Sequence, residues 1–149
     1  MNPAVASPAG ASAAPTPLLA LRAAILAHLS ADAVLAGLMG GHLRLYDEPP
    51  RGSAPVYAVF GEAETRDDSV DGAVRHAHTV ALVVFARAGS ARTGLDAAER
   101  MAALLADAAL APRGHALVTC RVEAVSARRD AETGEARATL TLRAVTEAA

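Results

Sequence analysis

The alternation of apolar and polar residues near the end of the chain constrains the fold more than any other feature. Between Ala138 and Ala144, apolar residues at even positions alternate with threonine or arginine at odd ones. Successive side chains of a strand point to opposite faces, so one face of this strand meets a core and the other meets water. The pattern therefore predicts an antiparallel sheet that helices cover on one side.

Hydrophobic residues at helical spacing predict two main helices and one short helix. The main stripes are Leu18, Leu21, Ile25 and Leu29 in the first helix, and Leu95, Ala98, Ala102 and Leu105 in the last. The short helix follows the first one, and Ser30 is its predicted N-cap because a serine hydroxyl can accept a hydrogen bond from a free backbone N–H. Gly40 and Gly41 are predicted to end it, since glycine readily adopts the left-handed conformation that follows many helices.

Four further segments have the composition of strands, and turn residues join several of them. They are Leu43 to Tyr46, Val56 to Glu62, Arg75 to Ala86 and Val118 to Ala124. The nearly continuous apolar run from Val80 to Phe85 predicts a central strand. Turn residues between Asp67 and Gly72, and between Arg128 and Gly134, predict two hairpins, the first of them long.

The element order is therefore α-α-β-β-β-α-β-β, and the predicted fold class is α+β. We expect an antiparallel sheet, with a mixed sheet as the open alternative, that contains a long hairpin and is packed on one face by the two main helices. Residues 18–149 form a single domain in this interpretation. Residues 1–17 are rich in alanine, proline and serine and form a flexible N-terminal arm.

The composition indicates a core with few bulky anchors. Hydrophobic residues make up 52% of the chain but aromatic residues only 3%, and about a quarter of all residues are alanine. Modest stability as an isolated monomer is therefore expected. The net charge of -2 gives no electrostatic reason for broad binding to nucleic acid. The apolar run around the first helix is interrupted by Arg22 and His28 and is too short to span a bilayer, so no membrane partner is expected.

No sequence pattern points to catalysis, to a cofactor or to a metal. The glycines form neither a dinucleotide-binding nor a phosphate-binding loop, and no serine lies in a nucleophile elbow. The single Cys120 excludes an internal disulfide and is interpreted as a buried small hydrophobe. His76 and His78 share one face of a strand, but a metal needs a third ligand. We interpret both histidines as polar residues on the solvated part of that strand.

Two charged hairpin tips are the candidate interaction sites. The first comprises Glu64, Arg66, Asp67, Asp68 and Asp71. One interpretation is a solvated turn, since aspartate and glycine favour turns. The other is a negatively charged protrusion that faces a partner's arginines or a passing polyanion. The second tip has mixed charge, and its candidate contacts are Arg128, Arg129 and Asp130.

The order of these features resembles that of a known family. The segments that carry the resemblance are Leu21 to Leu26, Ala31 to Leu38, Leu45 to Pro50, Pro55 to Gly61, Gly114 to Val118 and the closing Thr139 to Ala144. Together they resemble the tail-completion or tail-terminator family of long, non-contractile-tailed bacteriophages, which includes phage-derived gene transfer agents. The resemblance extends from Leu18 to Thr146.

The resemblance implies a structural virion protein and not an enzyme. It implies a homo-hexameric ring that caps the tail tube protein and joins the tail to the head connector or stopper protein. DNA would pass transiently and non-specifically through the lumen, and no cofactor is implied. The resemblance makes the residues of the first tip candidate lumen or inter-ring contacts: Glu64, Arg66, Asp67, Asp68 and Asp71. The expected location is the head-proximal end of the tail, in a virion or phage-like particle assembled in the host cytoplasm. A phage and a gene transfer agent are both open, as is the alternative of a small α+β protein- or ligand-binding module.

Overall fold

The computed structural model describes residues 15–52 and 54–149. Within them, helices and strands follow in the predicted order α-α-β-β-β-α-β-β. They are α1 (Pro17–Ser30), α2 (Ala33–Leu38), β1 (Leu45–Tyr46), β2 (Val56–Asp67), β3 (Arg75–Ala86), α3 (Ala91–Leu105), β4 (His115–Arg129) and β5 (Ala136–Ala148). Most of the predicted N-terminal arm lies outside the described residues, so the division at residue 17 stays a prediction.

The five described strands form one sheet in the order β1-β2-β3-β5-β4. The pairs β2–β3 and β4–β5 are hairpins, and β3 and β5 are antiparallel neighbours. The two-residue strand β1 runs parallel to β2, so the sheet is mixed. The α+β class is confirmed. Strand β3 lies at the centre of the sheet, as its apolar run predicted.

Helix α3 lies on one face of the sheet, and α1 and α2 pack against α3. The largest fully buried side chains of the core include Leu21, Ile25, Leu29, Leu35, Met39, Leu82, Met101, Leu105, Leu140 and Leu142. From position 78 onward in β3, and throughout the middle of β5, even-numbered residues face this core and odd-numbered residues face away. In the part of the chain that the structure describes, no helix covers the other face, which agrees with the alternation of β5.

The buried stripe of α3 differs from the predicted one. The helix buries Gly94, Ala97, Ala98, Met101 and Leu105, whereas 42% of Leu95 is exposed. The reason is the close approach of α3 to β3, because a Cβ atom on Gly94 would lie 2.6 Å from the Cβ atom of Ala86. The missing side chain at Gly94 lets helix and strand pack closely, and this contact fixes the rotation of the helix.

Asp32 caps the N-terminus of α2, so the prediction of Ser30 as the cap is wrong. The Asp32 carboxylate accepts a hydrogen bond from the backbone N–H of Leu35 at 2.8 Å. Ser30 is instead the last residue of α1, and its hydroxyl donates to the carbonyl of Leu26. Arg100 of α3 donates two hydrogen bonds to the Asp32 carboxylate, at 2.9 and 2.6 Å. The bond from Arg100 and then that from the Leu35 amide lower the pKa of Asp32 to about 2.

Strands β2 and β4 also differ from the predicted segments. Strand β2 continues past its predicted end to Asp67, because pairing with β3 resumes after a bulge between Phe60 and Ala63. Charged residues beyond the bulge hide this part of the strand from a search for alternating hydrophobic residues. In β4, Cys120 is buried but Val118 is 39% exposed, since two bulges change which residues face the helices.

Candidate interaction surfaces

The first group of predicted site residues lies together at the free end of the β2–β3 hairpin. Glu64 and Arg66 lie on β2, Asp67 is its last residue, and Asp68 and Asp71 follow in the connection. All five residues are exposed. The Arg66 Nε and Glu64 Oε1 atoms are 3.9 Å apart, which is a long ion pair. We call the segment from Asp67 to Asp71 the acidic tip.

Asp67 organises the backbone of the acidic tip. Its carboxylate accepts hydrogen bonds from the hydroxyl of Ser69 at 2.6 Å and from the backbone N–H of the same residue at 3.1 Å. These two bonds, in that order, lower the pKa of Asp67. Within the described residues, the side chains of Asp68 and Asp71 make no hydrogen bond or ion pair. Their charges are therefore available to another molecule.

The second group, Arg128, Arg129 and Asp130, lies at the turn of the β4–β5 hairpin. The Asp130 carboxylate accepts hydrogen bonds from the backbone N–H groups of Glu132 at 2.8 Å and Thr133 at 3.1 Å. The bond from Thr133 and then that from Glu132 lower the pKa of Asp130. Asp130 thus shapes the turn, while the two arginines are exposed.

The two predicted groups lie at opposite ends of the sheet and do not form one site. Pairing between β3 and β5 runs from Arg75 opposite Glu147 to Ala86 opposite Ala136. The acidic tip precedes Arg75 and therefore lies at the Arg75–Glu147 end of the sheet. The β4–β5 turn precedes Ala136 and therefore lies at the opposite end, where Ala86 pairs with Ala136. The molecule therefore has two ends with different charge patterns.

The uncovered face of the sheet carries rows of side chains that cross β2, β3, β5 and β4. The row nearer the acidic tip consists of Glu64, Thr79, Arg143 and Arg121. The row at the other end consists of Tyr57, Phe85, Arg137 and Arg128. In the second row, the aromatic rings stack with centroids 5.2 Å apart, and the guanidinium group of Arg137 lies 5.0 Å from the centroid of Phe85. Sequence patterns predicted an uncovered face but gave no sign of these rows, because their residues come from four strands.

Both edges of the sheet have long stretches without a strand neighbour among residues 15–52 and 54–149. On one side, β1 pairs with β2 at Ala58 and Val59, which leaves the edge of β2 from Phe60 to Asp67 open. On the other side, β4 is an edge strand over its full length of 15 residues. Open edges present unpaired backbone N–H and C=O groups that can bind another chain.

His78 is buried, so its interpretation as a solvated residue is wrong. Its Nδ1 atom lies 2.8 Å from the hydroxyl of Thr65, and its Nε2 atom lies 2.9 Å from the hydroxyl of Thr146. The loss of solvation, followed by repulsion from His76 and His115, lowers the pKa of His78 to about 4. The ring is therefore neutral at pH 7, and it belongs to a buried polar network under the helices.

The remaining chemical features of the described residues concern metal binding, membranes and the single cysteine. Within residues 15–52 and 54–149, no group of three or more histidine, cysteine, aspartate or glutamate side chains is arranged to hold a metal ion. Over the same residues, the helices are too short or too polar to cross a bilayer. Cys120 is buried, as predicted, and burial raises the pKa of its thiol. The prominent surface features are open edges, an uncovered sheet face and charged tips.

Such a combination defines a small α+β module that is suited to assembly with other chains. Comparison with known proteins identifies the family. Residues 23–147 match the family model described as "Tail completion protein gp17", so the chain belongs to this family of phage tail structural proteins. No protein of curated function matches the chain.

A solved structure supports the same family assignment. The chain is similar to one in the structure titled "Virion of native gene transfer agent (GTA) particle", with 31% sequence identity and a TM-score of 0.79. The match covers 89% of this chain and 98% of that chain. The resemblance read from the sequence is thereby confirmed. The protein has a structural role in a phage tail, and its location is a virion or phage-like particle.

Proposed function

We propose that this protein is a tail terminator and not an enzyme. In this proposal six copies form a ring that caps the tail tube and joins it to the head connector, and DNA passes through the lumen. The observation that carries the proposal is the similarity to a chain of a gene transfer agent virion over 89% of the sequence. The open sheet edges and charged ends of the molecule support it independently.

The two open edges suit a ring because they lie on opposite sides of the same sheet. A ring of identical chains needs a heterologous contact, in which one surface of each copy meets a different surface of the next. The edge of β2 from Phe60 to Asp67 and the edge of β4 are two such surfaces. Backbone groups along both edges can pair with an added chain.

Helix α1 supplies a second surface that neighbours could cover. It buries Leu21, Ile25 and Leu29 against the core but also exposes Leu19 and Leu26, by 55% and 39%. A helix that is apolar on most sides is usually buried on most sides. Contacts with neighbouring copies would therefore stabilise the fold by mass action.

The unlike ends of the sheet suit a ring that binds different proteins above and below. One end carries the acidic tip, and the other carries the mixed-charge turn with Arg128, Arg129 and Asp130. In this arrangement the tail tube protein and the connector would each meet a different charge pattern. The acidic tip is available to the lumen, where it would repel DNA phosphates, or to a neighbouring chain.

The proposal is tested by assembly and by capping. Native mass spectrometry over a range of protein concentrations should show a six-copy species, and negative-stain images should show purified tail tubes capped at one end. Leu19→Asp should weaken assembly, whereas Ala103→Asp at an exposed position of α3 should not. A protein that stays monomeric and leaves tail tubes uncapped would contradict the proposal and favour the alternative of a small protein- or ligand-binding module.

A further inference from the structure

The uncovered sheet face contains a basic depression. It measures about 320 Å³ and is lined by Arg66, Arg121 and Arg143, with the hydroxyl side chains of Thr79 and Thr119 between them. These residues come from β2, β3, β4 and β5, so the whole width of the sheet contributes to the depression.

The arginines of this depression are arranged unfavourably for the monomer. Arg121 and Arg143 are direct cross-strand partners on the same face, and like charges in that position destabilise a sheet. Arg143 Nε lies 3.0 Å from Glu123 Oε1, but Arg121 has no carboxylate partner among the described residues. A second pair of arginines, Arg128 and Arg137, also lies directly opposite at the far end of the same hairpin. Such an array can bind an anionic partner from outside the chain, and Arg121 is the arginine of the depression that is left to do so.

The chain itself contains a segment of opposite charge. From Glu62 to Arg75 there are five acidic and two basic residues, which gives a net charge of -3. Asp68 and Asp71 are exposed and unpaired within the described residues. Arg66, on the same hairpin as the tip, lines the near side of the depression, whereas Arg121 on β4 lies three strand spacings, about 14 Å, from β2. Within the described residues, neither Asp68 nor Asp71 contacts Arg121 or Arg143 of its own copy.

We propose that the acidic tip of one copy binds the basic depression of the next copy and so forms the lateral contact of the ring. This inference rests on the proposed function, because it names the contact through which that ring closes. The Arg121–Arg143 row lies four residues, about 13 Å, from the Arg75 end of β3 where the tip begins, so the next copy must be displaced along the strands as well as sideways. A ring axis inclined to the strands produces this displacement and brings the β2 side of one copy beside the β4 side of the next. Carboxylates of Asp68 and Asp71 then face Arg121 and Arg143, where charge-assisted hydrogen bonds replace the repulsion of the free chain.

DNA is the alternative ligand for the depression, but the observations favour the carboxylates of a protein. Glu64 and Glu123 lie on the uncovered side beside the arginines, so an extended phosphate backbone would meet negative charge as well as positive. A row of arginines in contact with phosphates would also slow DNA that has to pass. Short acidic segments avoid both difficulties, because they can place single carboxylates between the guanidinium groups.

A charge-swap experiment tests the contact. The first variant carries Arg121→Asp and Arg143→Asp, and the second carries Asp68→Arg and Asp71→Arg. Each variant alone should need at least about a tenfold higher concentration to assemble than the wild type, because like charges then face each other at every contact. An equimolar mixture of the two variants should assemble as the wild type does, since alternating copies restore an opposite-charge pair at every contact. An alternating ring requires an even number of copies, which six satisfies.

Controls separate folding from assembly. All four positions are exposed, so each variant should fold, and its unfolding midpoint should differ from that of the wild type only by the small contributions of the Arg143–Glu123 ion pair and the Arg121–Arg143 repulsion. If the aspartate variant fails to fold, Arg121→Gln with Arg143→Gln tests the same contact by neutralisation and should also weaken assembly. A matched control reverses exposed charges elsewhere, with Arg113→Asp and Glu99→Arg, and should assemble normally.

The outcomes are distinct. Normal rings from each variant alone would overturn the inferred contact but would leave the proposed ring intact. A mixture of the two variants that stays dissociated would also overturn the inferred contact. Loss of binding to a 30-base-pair DNA duplex by the Arg121→Asp, Arg143→Asp variant, with normal rings, would assign the depression to a polyanion instead. A wild-type chain that forms no ring, even on tail tubes, would refute the proposed function itself.

Discussion

Adding one methyl group at Gly94 should destabilise the fold, although the same change usually stabilises a helix. Gly94 lies within α3 with ordinary helical backbone, so Gly94→Ala should favour the helix by about 0.5–1 kcal/mol. However, the new Cβ atom would lie 2.6 Å from the Cβ atom of Ala86 and 4.0 Å from a methyl group of Val84. Carbon atoms do not approach to 2.6 Å, so α3 must move away from β3.

The net effect of Gly94→Ala on the free energy of unfolding depends on the cost of overpacking and on the gain in helix propensity. Overpacking a well-packed core costs typically about 1–3 kcal/mol. Subtracting the gain in helix propensity leaves a net loss of between about 0 and 2.5 kcal/mol in the free energy of unfolding, and the 2.6 Å approach places Gly94→Ala in the upper part of that range. For a chain of 149 residues this corresponds to a fall in Tm of up to about 8 °C. Helix α3 should shift, because the contacting Ala86 belongs to a central strand that is fixed on both sides.

Urea unfolding followed by far-UV circular dichroism measures this loss, at one fixed protein concentration because assembly raises apparent stability. Gly37→Ala is the matched control, since Gly37 lies in α2 and a Cβ atom there meets nothing within 4 Å. This control should be stabilised, by up to about 1 kcal/mol. Ala86→Gly should recover part of the loss in the Gly94→Ala background, as a double-mutant cycle would show. Equal stabilisation by both alanine substitutions would refute the close contact.

Three further changes test other parts of the fold. Leu140→Ala should lower the free energy of unfolding by about 2–5 kcal/mol in urea titrations, since Leu140 is fully buried; a loss below 1 kcal/mol would contradict its core position. The pKa of His78 is about 4 in the folded chain and about 6.5 in the unfolded chain, so the free energy of unfolding should fall as the pH decreases from 6.5 to 4. In thermal melts at several pH values, His78→Gln should flatten this dependence, and an unchanged dependence would argue against the buried ring. The pKa of Asp32 is lowered from 3.8 to about 2, so its contribution is complete above pH 3.8 and is lost as pH falls toward 2. Arg100→Met should weaken that acid dependence, and identical acid unfolding curves would refute the ion pair.

The sequence alone determined the order of the elements and the side of the strands that meets the core. The alternation from Ala138 to Ala144 is a local property of an extended chain, and burial of its even-numbered residues followed directly. Glycines at positions 40 and 41 ended α2 with positive φ, as the left-handed preference of glycine requires. The family resemblance was also readable, because it depends on segments that are contiguous in the chain.

Several features were decided by contacts between distant residues. The rotation of α3 about its axis depended on the close contact between Gly94 and Ala86. The spacing of hydrophobic residues within the helix gives no information about that contact. The cap at Asp32 gained a partner 68 residues away, Arg100. His78 became buried because Thr65 and Thr146, on the two flanking strands, supply hydroxyl groups to both ring nitrogens.

The surfaces available for assembly were likewise decided by the sheet order. Pairing of β3 with β5 separated the two charged tips to opposite ends and joined arginines of β4 and β5 to Arg66 of β2 in one depression. Local patterns follow from the geometry of single helices and strands, so a sequence reveals them. A depression lined by four strands exists only after the chain has folded, because strand order and register are set by long-range packing.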